Sequence, residues 1–422
     1  MKFFAFYLLT VFLYSLVSRR LERTFFTAPI LFTLAGICLF MAFPVQYAQL
    51  ELNRNGLLLI AEIGLVLTLF TDAAHINLKS LSLIANRNLP IRLLTTGMLL
   101  TIVLGAAAAM LVFGQFTWLE AGILAAILAP TDAGLGTVIV NSPLVPARIR
   151  QALNIEAGLN DGLSVPFLMC FTVLALHSHE GVTTVLTKFL IEQIGYGSLI
   201  GGVIGLAGGY LLGLACHKQW MAKPMQQLGL VALPLLCVLA SEASAASMFI
   251  AAYVAGFAVQ AGFSEAGRHS VEFTETWGQL FDFFVFFLFG LLFARSWQEF
   301  AAVHLLYGLL SLTVVRMLPV ALALMGSGLS RSTVLFMGWF GPRGLASIVL
   351  GLVYLDQHAN LPGDSDIRLS VMMTVLLSIF VHGFSALPGI RRYALNIATL
   401  DSGAPELQQN EPEKSYSGSG SN

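Results

Sequence analysis

Two short segments decide how the chain is read: Ala129-Pro-Thr-Asp-Ala-Gly-Leu-Gly136, and, from Val145, VPARIRQALNIEAGLNDGLSVP, ending at Pro166. They place three carboxylates, Asp132, Glu156 and Asp161, inside runs otherwise apolar enough to be membrane helices. Ionisable groups at that depth are costly and mark ion or substrate paths. Pro130, Gly134 and Gly136 interrupt the first run beside its acid, which exposes backbone carbonyls to a cation. The stretch reads as the ion site of a secondary transporter.

The surroundings agree. Of 422 residues, 57% are hydrophobic and 11% charged, with mean hydropathy +0.80. Soluble domains carry about a quarter charged residues, so an all-α polytopic membrane protein is expected. A net charge of −1 gives no reason for a nucleic-acid partner. Cys38, Cys170, Cys216 and Cys237 lie singly, without zinc or disulfide spacing. No glycine-rich nucleotide loop follows a strand, and no cofactor is expected beyond the transported ions. Met1–Val17 precedes its arginines and lacks a cleavage site, so it reads as a retained helix.

At about 20 apolar residues per span, thirteen spans are expected, near 2–18, 25–43, 56–74, 91–113, 118–140, 150–176, 190–215, 226–241, 246–263, 277–294, 300–325, 332–355 and 367–388. With the N-terminus outside and the C-terminus in the cytoplasm, the inner loops hold Arg19, Arg20, Arg23, Lys79, Arg87, Arg92, Arg148, Arg150, Lys218, Lys223, Arg268, Arg331, Arg391 and Arg392. The outer side keeps Lys2, Arg54, Lys188, Arg295 and Arg368. That asymmetry is what the positive-inside tendency requires. The twelfth span is broken by Gly341, Pro342 and Gly344, as the fifth is at Pro130. One broken helix in each half suggests inverted repeats, spans one to six and eight to thirteen, meeting at the midplane. Residues 1–398 form the membrane unit, and 399–422 read as a short disordered tail.

Asp161 can hold a proton or, in its place, a dehydrated Na⁺ or K⁺, the minimum requirement for exchange. Oxygen ligands for such a cation are Asp161, Asp132 and the Thr131 carbonyl. Glu156 is offset about 140° from Asp161 around its helix. Arg316, stranded in the eleventh span, is its expected counter-ion in a structural pair. Asp72 either gathers cations at the cytoplasmic mouth or is an ordinary interfacial acid. Arg343 either neutralises helix-end carbonyls or meets a carboxylate during the cycle. Glu62 has no assigned role. Asp282 and Glu242 are placed near helix ends, in water. His177 and His179 read as solvated, His382 as a packing residue, and the phenylalanines of 281–290 as a lipid- or helix-packing surface.

In order, FTDAAHINL, PTDAG, EAGLNDG, VVRMLP and GPRGLAS resemble the monovalent cation:proton antiporter-1 superfamily, in its NhaP-like branch of sodium/proton exchangers. The resemblance spans nearly the whole membrane region. It implies a homodimer with a core domain (about 91–176 and 300–388) moving against dimerisation helices (about 1–74 and 190–294). It implies that Asp161 exchanges the proton, with Asp132 and Thr131 at the ion, Asp72 at the site or its entrance, and Glu156 paired with Arg316. Asn160 replaces the first acid of the paired-aspartate exchangers and cannot titrate, so electroneutral 1:1 exchange is expected. Two positions depart from the pattern: Ala157 where a serine is usual, and Ala133 where a proline is usual. The expected function is antiport of Na⁺ (with Li⁺ or K⁺ as alternatives) for H⁺ in the plasma membrane, the inner membrane if the source is bacterial, serving pH and salt homeostasis. A K⁺-selective efflux exchanger is the alternative. An intramembrane aspartyl enzyme built on Asp132 and Asp161 is a remote third reading, since its glycine-flanked motif is missing and Arg316 would be unexplained.

Overall fold

In the computed structural model, residues 2–21, 24–44, 54–76, 89–177, 181–263, 272–357, 361–401 and 403–407 are described. Among them there is no β-strand. Arg23, Lys79, Arg87, Arg268, His179 and the tail from residue 408 lie outside the described residues.

The helices are α1 (Lys2–Leu21), α2 (Ala28–Ala42) and α3 (Arg54–His75), followed by α4 (Leu89–Val112). The broken fifth span is α5 (Trp118–Ile127) and α6 (Ala133–Val140), and α7 is Ala147–Leu176. Next come α8 (Val182–His217), α9 (Lys223–Glu242), α10 (Met248–Gly262) and α11 (Glu272–Arg295). The last group is α12 (Ala302–Ala323), the broken twelfth span α13 (Arg331–Trp339) with α14 (Leu345–Asp356), and α15 (Asp364–Ile397). Each expected span thus has a helix or a broken pair. The last is longer than expected because Pro388 is accommodated inside α15, carrying Arg391 and Arg392 along with it.

Helices α1–α3 and α8–α11 pack chiefly on one another, and α4–α7 with α12–α15 form a second group. Lipid tails are as apolar as leucine, so close van der Waals fit, not water exclusion, must hold each group. The α8–α10 seam illustrates this. Gly201, Gly205, Gly209 and Gly213 recur every fourth residue, and a Cβ on any of them would fall 2.2–2.6 Å from a carbonyl oxygen of α10. The phenylalanines of α11 turn inward: Phe284, Phe286, Phe287 and Phe289 are buried, and Phe283 stacks on Phe32 of α2 at 4.6 Å.

Two placements differ from the sequence reading. Asp282 is not near a helix end; ten residues into α11, it is half-buried and lies about 15 Å from the first residue. The start of the segment read as a disordered tail is packed. Glu406 is 1% exposed and accepts from the Ser330 backbone N–H (2.5 Å) and the Thr333 hydroxyl (3.0 Å) at the N-terminus of α13, while Arg148 Nη1 donates to the Pro405 carbonyl at 2.7 Å. An anion at a helix N-terminus meets otherwise unsatisfied N–H groups, which is why this stretch stays down.

Candidate ion site at the crossed helix breaks

Proline and glycine end α5 and α13 mid-membrane, which strands backbone groups that need partners in place of water. The two breaks supply them to each other. Asp132 N–H donates to the Pro342 carbonyl at 2.8 Å. The Asp132 side chain caps two helices at once. Oδ1 accepts from Leu135 N–H in α6 (2.7 Å), and Oδ2 from Leu345 N–H in α14 (2.5 Å). Two positive helix ends therefore converge on one carboxylate. Gly344 is required here, because its Cβ would fall 2.1 Å from Asp132 Oδ2.

The opposite polarity is met by Arg343, fully buried, whose Nη1 donates to the carbonyls of Ala129 (2.7 Å) and Pro130 (3.0 Å) just past the C-terminus of α5. Ser347 Oγ donates to the Ile127 carbonyl of the same end at 2.8 Å. Arg343 N–H donates to Ser378 Oγ at 2.6 Å; His382 Nδ1 is 3.2 Å from that hydroxyl, and its Nε2 is 2.9 Å from the Trp339 carbonyl that ends α13. Nδ1 is also 3.0 Å from the Ser378 carbonyl, so whichever ring nitrogen carries the proton has a carbonyl to donate to, and the histidine links α15 to the second break.

Along α7, Glu156, Asn160 and Asp161 are all buried. Arg316 Nη1 lies 2.6 Å from Glu156 Oε1, and its guanidinium occupies the space that a side chain at Gly341 would need. Asn160 clamps Thr131: Oδ1 accepts from Thr131 N–H (3.1 Å) and Nδ2 donates to Thr131 Oγ1 (2.7 Å). Asp161 is different. It is 5% exposed, and its buried Oδ1 has no hydrogen-bond partner. One turn earlier, Gly158 lets Asp72 approach, its Cβ 3.4 Å from where a glycine Cβ would stand.

Asp72, Asp132 and Asp161 line one cavity of about 760 Å³, which runs from Thr24, His75, Leu89 and Arg148 at the helix ends down to Leu345. Thr131, Asn160, Glu156, Arg316 and Arg343 do not line it. The candidates thus divide into a cavity wall of carboxylates and a supporting layer behind it. Beside Ala157 a separate void of about 20 Å³ touches Thr131, Asp132, Asn154 and Glu156, room for one water where a serine hydroxyl would reach. The large cavity is also lined by an acid the sequence reading placed near a helix end in water, Asp282, with Thr68 donating to its Oδ1 at 3.3 Å. Glu275, Gly278, Gln279 and Asp282 recur at helical spacing, a polar stripe on a phenylalanine-rich helix that would have revealed it.

Comparison with known proteins places the chain and its fold. The profile of the family described as "Sodium/hydrogen exchanger, transmembrane" matches residues 3–390. The chain is 26% identical over 311 residues to the K(+)/H(+) antiporter NhaP of Alkalimonas amylolytica, covering 72% of this chain and 52% of that protein. It is 23% identical over 299 residues to the Na(+)/H(+) antiporter 2 of Zygosaccharomyces rouxii, 62% of this chain and 37% of that one. The chain spans about half the length, or less, of these curated relatives. A structure of the sodium proton antiporter MjNhaP1 from Methanocaldococcus jannaschii superposes with a TM-score of 0.74 at 19% identity, over 95% of this chain and 99% of that one.

Proposed function

Because the chain belongs to the sodium/hydrogen exchanger family, a family of transporters and not of enzymes, we propose that it exchanges an alkali cation for H⁺, with Asp161 holding either one. The observation that carries the proposal is Asp161 itself, a buried carboxylate with an unpartnered oxygen on the wall of a large cavity. Among the described residues it is the one carboxylate with a fully buried oxygen left unpartnered. Asp132 is held by two helix ends, Glu156 by Arg316, and Arg343 by two carbonyls. A proton or a dehydrated cation satisfies Asp161 Oδ1 in turn, and the two exclude each other.

Asp132 joins Asp161 in the cation's oxygen shell on the cavity wall; the Thr131 carbonyl, clamped by Asn160 in the layer behind, completes that shell as the core moves, and Asp72 stands at the entrance. Asn160 spends its amide on Thr131 and carries no proton, so one H⁺ moves per cation and exchange is electroneutral. The mobile core is α4–α7 with α12–α15; the scaffold, which also forms the homodimer, is α1–α3 with α8–α11. The cavity opens on the face bearing Arg148, the cytoplasmic one by the positive-inside tendency, with the N-terminus outside in a plasma or bacterial inner membrane. Na⁺ is the leading substrate and Li⁺ a second. A K⁺-selective exchanger is the alternative reading, favoured by a relative named as a K(+)/H(+) antiporter and by the oxygen missing at Ala157.

The test uses proteoliposomes holding an internal pH dye, an imposed pH gradient and successive additions of Na⁺, Li⁺ and K⁺. At least one cation dissipates the gradient, Asp161→Asn abolishes the response without loss of folded protein, and clamping the membrane potential leaves the rate unchanged. If no alkali cation moves protons, or if Asp161→Asn exchanges normally, the proposal is wrong.

A further inference from the structure

We propose that Asp282, held by Thr68, is a second cation station on the scaffold wall of the cavity, one that serves ions entering or leaving by the cavity mouth and no others. The inference rests on the exchange reading above and adds a group that belongs to neither the crossing nor α7.

The placement is built, not incidental. α3 and α11 approach so closely at Gly64 that a Cβ there would fall 2.8 Å from Phe281 Cβ, and the position of a Gly278 Cβ is 3.6 Å from Thr68 Oγ1. Those two glycines let the Thr68 hydroxyl reach Asp282. A carboxylate offers about four acceptor positions, and Thr68 fills one. Carboxylate and hydroxyl oxygens are the ligands that hard alkali cations prefer. The nearest acid along the helix, Glu275, stands two turns, about 10.5 Å, toward the exposed end and also lines the cavity.

The sign that the cavity takes a cation is the one that carries the exchange reading: Asp161 also lines it, on a helix of the other group, and its buried Oδ1 has no partner. Among the described lining residues the basic side chains are His75 and Arg148, both at the helix-end rim, and Arg148 Nη1 is engaged by Pro405. The inner walls therefore present acids on both sides. An acid kept at membrane depth without a basic partner marks an ion path.

Sidedness follows from which helices carry the two acids. Asp282 and Thr68 sit on helices packed against each other, while Asp161 is on α7 in the second group. When one group moves past the other, the Asp282–Thr68 pair persists but its relation to Asp161 does not. A cation that binds from the far face therefore binds without it, and meets the station only on release through the cavity mouth.

The experiment measures the cation KM for Na⁺, Li⁺ and K⁺ separately from each face, in right-side-out and everted vesicles carrying the full chain. Asp282→Asn is expected to raise the KM about tenfold at the cavity face, the lower end of what charged clefts gain by concentrating counter-ions, with the far-face KM unmoved. Thr68→Val is expected to raise it about threefold at the same face, and Asp282→Glu to restore most of the affinity. Equal shifts at both faces would mean a structural role, and no shift at either would mean no station. Complete loss of exchange in folded protein would make Asp282 obligatory. Each of these three outcomes overturns the proposal. Should Asp282→Asn not fold, Thr68→Val decides the question alone. A wild-type protein that moves no protons for any cation fails the exchange reading itself, before any variant is made.

Discussion

The two helix breaks solve one problem with opposite charges. At the fifth span the chain offers an anion, and Asp132 gathers the N-termini of α6 and α14. At the twelfth it offers a cation, and Arg343 gathers the carbonyls that end α5. Each break thus caps the other, and neither would be satisfied alone at membrane depth. The comparison teaches that a charged residue in a transporter's centre need not be the group that moves. Backbone groups hold both oxygens of Asp132 and Nη1 of Arg343, whereas Asp161, one helix away, has a carboxylate oxygen to spare.

The mutual capping can be broken from either side. Arg343→Ala strands two carbonyls and should cost on the order of 3 kcal/mol, at about 1–3 kcal/mol for each buried group left unpaired. Thermal unfolding in detergent, followed by size exclusion, reads that loss. Asp132→Ala removes two caps at about 1 kcal/mol each, so roughly 2 kcal/mol is expected in the same assay. A larger loss for Asp132→Ala than for Arg343→Ala would reverse the ranking and make the anion the keystone.

The smallest effect concerns an anion at a helix N-terminus outside the membrane. Burial by itself would raise the Glu406 carboxyl, but hydrogen bonds from the Ser330 N–H and from the Ser330 and Thr333 hydroxyls outweigh it and hold it below the usual glutamate range. A depressed folded value means stability that is present above the unfolded pKa, near 4.3, and lost as pH falls through the folded one. Glu406→Gln should therefore lower stability by about 0.5 kcal/mol at neutral pH, a typical value for an anion in that position. The difference from wild type should vanish on acidification below the glutamate range; a gap that persists there would show that packing, not charge, holds the segment.

Much of this was legible in the chain alone. Thirteen apolar runs and the Pro-Gly interruptions announced the spans and both breaks. Glu156 and Arg316 could be matched because each was otherwise a stranded charge. The sequence could not disclose that Asp132 reaches Leu345, 213 residues away, because a cap is readable only when donor and acceptor share a turn. Arg343 was left between two roles for the same reason, and its contacts favour the helix-end carbonyls. Asp282 was misplaced at a helix end although the stripe of Glu275, Gln279 and Asp282 was readable. What was not readable is its Thr68 partner on α3, 214 residues away, and Glu406 escaped because the Ser330 it meets lies 76 residues earlier.

The glycine seam between α8 and α10 has a mechanical consequence. Sliding one helix along the other by a single residue would drive a side chain into a carbonyl row that now lies only 2.2–2.6 Å from each glycine's missing Cβ. The seam therefore has one register and no neighbouring one to slip into. It behaves as a keyed joint, and whatever travels during a transport cycle must travel past it as a whole.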